Sequence, residues 1–68
     1  MMDAQKYTYL VFWSEDDHQF VGICEEFPDL SWLSPSQTEA LSGIVDMVKD
    51  ILSDMKSKGK EIPVPLSL

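Results

Sequence analysis

The side chains of this 68-residue chain that could do chemistry are few and scattered. There is one histidine, His18, and one cysteine, Cys24. His18 follows Glu15, Asp16 and Asp17 in a polar run, the setting of a solvated turn residue and not of a general base aimed at a nucleophile. Cys24 closes an apolar run, where a thiol packs as an inert small hydrophobe. One cysteine and one histidine are too few for a structural zinc site or an internal disulfide. The contiguous acids Glu15, Asp16 and Asp17 lack the alternating spacing and the glycine of a calcium loop. Glu25 and Glu26, read as a continuing strand, point to opposite faces and make a poor shared metal site. No glycine-rich phosphate loop is present. The sequence therefore assigns no catalytic residue, no cofactor and no metal, and a non-enzyme is expected.

Charge says more about partners. Twelve acids against five lysines, with no arginine, give a net charge of −7. Seven of the acids lie before Leu30 with Lys6 as their only basic companion, and the other lysines follow residue 48. Such a chain repels nucleic acid phosphate and attracts basic proteins. Its longest mostly apolar run, Tyr7 to Trp13, is too short to span a bilayer. No signal core precedes it, so the expected location is the cytoplasm, with Cys24 reduced.

The elements that must position these residues are legible in the pattern. Tyr7 to Trp13 is aromatic and β-branched and predicts a strand. Ser14 to His18 predicts a five-residue loop, and Gln19 to Cys24 a second, antiparallel strand. Pro28 is expected to end that strand, with Leu30 to Leu33 a short third strand stopped by Pro35. Ser36 and Glu39 have capping-box spacing, Ser36 accepting from the N3 amide while Glu39 reaches back. From there Leu41, Ile44, Val45, Val48, Ile51, Leu52 and Met55 form one apolar stripe, so a helix is expected over 36–58. Gly59 can take the left-handed cap after Lys56 and Lys58. The segment 60–68, with Pro63 and Pro65, must be an extended tail or edge strand. One α+β domain over 1–68 follows: an antiparallel β-β-β sheet packed on one long helix in two layers.

Both faces of the predicted hairpin are apolar, yet one helix covers one face. Tyr9, Val11, Trp13, Phe20, Gly22 and Cys24 are assigned under the helix, with Gly22 allowing close packing. Leu10, Phe12, Val21 and Ile23 then form an apolar patch with no internal cover, a mark of an interaction site unless the tail folds over it. With the acids Glu25 and Glu26 they make up the expected protein-binding residues. A domain this small also buries little core, so self-association into a dimer or larger oligomer is expected.

The run Tyr7-Thr8-Tyr9, Trp13-Ser14-Glu15-Asp16-Asp17, Phe20-Val21-Gly22, Glu26-Phe27-Pro28-Asp29-Leu30-Ser31-Trp32-Leu33 and Glu39-Ala40-Leu41 resembles the HicB antitoxin family. The closing stretch from Gly59 to Pro65 is similar to the family's exit. The resemblance implies a partial ribonuclease-H-like fold and a partner, the HicA toxin, a small basic RNA-cleaving protein that the antitoxin binds and occludes. It imports no catalysis, since Tyr7 to Trp13 lacks the first-strand carboxylate of ribonuclease H enzymes. The chain departs from the family in having Ser34 and Ser36 where many relatives have glycine and threonine. It also stops at Leu68 without the usual DNA-binding domain, so repression of its own operon by this chain alone is not expected. The alternative function is a stand-alone oligomeric adaptor with no toxin partner.

Overall fold

The computed structural model describes residues 4–65. A 3-10 turn η1 (Ala4–Lys6) precedes β1 (Tyr9–Ser14), β2 (Gln19–Cys24), β3 (Phe27–Ser34) and the helix α1 (Gln37–Ser57). The strands form one antiparallel sheet in the order β1-β2-β3. The helix packs against one face of it, the expected two-layer α+β arrangement.

The contact is close because of what meets in its centre. A Cβ on Gly22 would lie 2.6 Å from the Ala40 carbonyl oxygen and 2.9 Å from Ile44 Cγ2. Ala40, Ile44, Val48 and Leu52 are the buried row of α1, spaced four residues apart. Leu41, expected in this row, is exposed instead. The smaller Ala40 takes the position where helix and strand backbones nearly touch.

Three further expectations are corrected. First, β1 begins at Tyr9, because the preceding chain turns back: the Tyr7 N–H donates to the Ala4 carbonyl at 3.4 Å, and both residues are buried in the core. Second, β1 runs through Ser14, which pairs with Gln19, so the loop is Glu15–His18. His18 closes it in the left-handed region at φ 52°. Third, Pro28 does not end β2 but lies within the eight-residue β3. Ile23 pairs with Ser31 while Cys24 pairs with Phe27, so Pro28, Asp29 and Leu30 bulge out of register. A proline in a bulge on an edge strand removes no ladder bond.

The helix begins at the expected cap. Ser36 has extended backbone and its Oγ accepts from the Glu39 N–H at 3.4 Å. Glu39 does not reach the Ser36 amide directly. Ser34 Oγ accepts from the Ser36 N–H at 3.3 Å and donates to Glu39 Oε2 at 3.0 Å, one hydroxyl bridging the two halves of the box. At the other end Lys60 N–H donates to Met55 O at 2.8 Å and Gly59 N–H to Lys56 O at 3.2 Å. With Gly59 at φ 69° this is a Schellman cap.

The described part of the tail joins no ladder. Ile62 packs on the core cluster of Ala4, Tyr7, Cys24, Ile44, Val48 and Leu52, and the Tyr7 hydroxyl donates to the Pro63 carbonyl. The tail is thus held on the helix side of the sheet. Its last expected residues, 66–68, lie outside the described residues.

Candidate functional site

Directly opposed residues of an antiparallel pair share a face. Leu10 pairs with Ile23, Phe12 with Val21, and Val21 in turn with Leu33. These five side chains therefore form the sheet face away from α1. Leu10, Phe12 and Leu33 are exposed by 50%, 43% and 40%, large values for apolar side chains gathered on one face. Ile23 is half-buried. Val21 differs from its neighbours: it is buried at 8% exposure, shielded by Phe12 and Leu33 on either side of the central strand. It supports the face and offers little surface of its own. Leu33 was not among the expected contacts, because the bulge in β3 hides from the sequence which way that strand's side chains alternate.

The two acids at the end of β2 separate in role. Cys24 pairs with Phe27, so Glu25 and Glu26 occupy a tight turn and not a continuing strand. Glu25 is exposed, and its N–H donates to the Thr8 carbonyl at 2.9 Å. Glu26 turns back over the start of β1. Its carboxylate accepts from the Thr8 N–H at 2.9 and 3.2 Å, from Thr8 Oγ1 at 3.1 Å and from Cys24 Sγ at 3.4 Å. It replaces the ladder partner that Thr8 lacks where the strand begins. As a contact for another protein Glu26 is already engaged, and Glu25 is the better placed of the two.

The groups with chemical potential sit apart. Burial pushes the Cys24 thiol up from its ordinary value, and the neighbouring Glu26 carboxylate adds to the rise through its charge and hydrogen bond, while backbone hydrogen bonds partly oppose it. Burial, then the charge of Glu26, likewise raises Tyr7. Both groups are thus held protonated in the core. His18 is exposed in the acidic loop. No three His, Cys, Asp or Glu side chains gather as a metal site among the described residues, and no helix there is long and apolar enough to cross a membrane.

On the helix side, two tryptophans flank the packed centre. Trp13 stacks edge-on to Phe20 at 5.1 Å and donates from its indole N–H to Glu15. Trp32 lies over Gly43, where an added Cβ would sit 2.1 Å from its Nε1. Both rings remain nearly half exposed. Family models, curated proteins and solved structures offer no match to the chain.

Proposed function

We propose that the chain is a HicB-like antitoxin domain, a partial ribonuclease-H-like fold that binds a basic HicA-like ribonuclease and closes off its active site. The observation that carries this reading is the uncovered apolar face of Leu10, Phe12, Ile23 and Leu33 on a chain of net charge −7. Apolar side chains left outside a core stabilise by about 25 cal/mol per Å² when a partner covers them. The acidic balance draws in a basic partner, with the exposed Glu25 as the acid that steers its approach. The resemblance of the ordered sequence segments to the HicB family is what supports a HicA-like partner in particular. The protein works by occlusion in the cytoplasm, without cofactor or metal.

The test mixes the purified chain with a HicA-like ribonuclease taken from the same genome and follows RNA cleavage. Suppression at a fixed stoichiometry, unaffected by excess RNA, is the expected result. Metal-dependent RNA cleavage by the chain alone would overturn it, as would unimpaired toxin activity at saturating chain. The second reading, an oligomeric adaptor with no toxin, draws on β1, an outer strand of the sheet order β1-β2-β3 that carries no charged residue from Tyr9 to Ser14.

A further inference from the structure

The two edges of the sheet are built differently. On β3, Pro28, Asp29 and the bulge guard the edge against another strand. On β1, Tyr9–Ser14, there is no charge, no proline and no bulge. The backbone groups along that edge can be traced from the ladder. Glu25 N–H donates to Thr8 O, and in an antiparallel pair every second opposed pair from there exchanges both bonds. These are Leu10 with Ile23, Phe12 with Val21, and Ser14 with Gln19. The N–H and C=O of Val11 and Trp13 therefore point away from β2, toward an edge that no other strand pairs among the described residues.

We infer that β1 pairs with β1 of a second copy, antiparallel about a two-fold axis at Val11, joining two sheets into one of order β3-β2-β1-β1-β2-β3. A two-fold axis normal to an antiparallel sheet passes through a pair of identical residues. Val11, with its backbone directed outward near the middle of the strand, provides that pair. This register places Leu10 of one copy opposite Phe12 of the other, the closely spaced kind of pair, so the two most exposed side chains of the outer face on β1 touch side by side across the seam while the face itself stays open. On the helix side it places Trp13 of the second copy opposite Tyr9. There an open groove lined by Tyr9, Thr38, Leu41 and Val45 runs beside the strand, and the exposed Leu41 forms part of its wall.

Charge favours the same arrangement over one between unrelated acidic surfaces. No carboxylate lies within β1, so two chains of net charge −7 meet there without opposed acids. The antiparallel direction sets the loop Glu15–His18 of each copy toward η1 of the other, which carries Lys6 and no acid. The dimer is independent of the antitoxin reading, since it needs no second protein.

Sedimentation equilibrium of the full chain at micromolar concentration is expected to give twice the 7.7 kDa of one chain. Chemical synthesis with an N-methyl group on Val11 removes one outward donor and leaves every side chain intact. That variant is expected to halve the measured mass with an unchanged circular dichroism spectrum. A monomeric wild-type chain would overturn the proposal, and so would a dimer that survives the N-methyl group, which would place the contact on the sheet faces. Amide exchange on the unmodified chain decides the matter if the variant does not fold. Val11 and Trp13 amides protected as strongly as that of Phe12 support the edge pairing, and rapid exchange at Val11 beside slow exchange at Phe12 refutes it.

Discussion

Glu26 is where single-residue chemistry and folding meet. Its carboxylate takes both donors of Thr8 and the Cys24 thiol, and so pins the first residue of the hairpin to the second turn. Removing it strands a part-buried amide, which costs roughly 1–3 kcal/mol. Glu26→Ala is therefore expected to lower the melting temperature clearly, and Glu26→Gln, which keeps a carbonyl acceptor, to lower it less. Glu25→Lys, on the exposed side of the same turn, is expected to change stability by no more than about 0.5 kcal/mol. Thermal melts of the three variants check the ranking, and equal losses would contradict it. The raised Cys24 and Tyr7 groups carry a pH dependence of definite sign. Each is protonated in the folded state at pH values where the unfolded chain ionises it. Their stabilisation is complete below the unfolded values, about 8.5 for cysteine and about 10 for tyrosine, and is lost as pH rises through the higher folded values. Denaturant titrations are expected to show a falling midpoint above that range, with the Cys24 thiol unreactive toward disulfide reagents at neutral pH until the chain unfolds.

Two glycines and two serines set the relation of helix to sheet. At Gly22 an added methyl meets the Ala40 carbonyl and Ile44, neither of which can swing aside. Gly22→Ala is expected to cost about 1–3 kcal/mol by overpacking. At Gly43 the obstacle is the Trp32 ring, half-exposed on an edge strand and free to rotate outward. Alanine also favours a helix interior by about 1 kcal/mol over glycine. Gly43→Ala should thus leave stability nearly unchanged while moving Trp32 into water, read as a red shift in tryptophan emission. A large loss of stability there would mean that the indole is held in place. Ser36→Ala removes the acceptor of the Glu39 amide and is expected to cost about 1 kcal/mol. In a domain of this size that lowers Tm by roughly 4–8 °C. Ser34→Ala should weaken the same helix start, because its hydroxyl bridges Ser36 and Glu39.

For the molecule as a whole, one face of the sheet holds the fold and the other carries the exposed Leu10, Phe12 and Leu33 that we propose as a partner's contact. Ile44→Ala, in the buried row of the helix, is expected to cost about 2–5 kcal/mol and to leave little folded protein. Phe12→Ala, on the helix-free face, should leave the melting temperature close to that of the wild type. If the proposed HicA-like partner binds this face, the same change is expected to speed dissociation, since truncating a buried anchor often costs about 2 kcal/mol or more. Glu25→Lys should act on association, with the difference shrinking as salt screens the charges. Binding kinetics of the two variants at low and high salt separate these effects. A Phe12→Ala chain that binds like wild type removes the outer face from the toxin-binding surface.

What the sequence determined by itself rests on local rules. The period of α1, the Ser36 cap, the Gly59 cap, the extent of β2 and the α+β layering depend on neighbours a few residues apart, and each was readable. The assignment of Gly22 beneath the helix and of Leu10 and Phe12 away from it followed from the two-residue alternation of strands. The rest depends on contacts distant in sequence. Nothing local reveals that Glu26 answers an amide 18 residues earlier, or that the tail at Pro63 is drawn to Tyr7. The bulge at Pro28 decides that Leu33 joins the face away from the helix, because the three residues between Phe27 and Ser31 have only the step from Cys24 to Ile23 opposite them and so invert the alternation of the rest of β3. Likewise Ala40 displaces Leu41 from the buried row because the backbone at Gly22 comes within reach of its carbonyl, a distance only the packed structure defines.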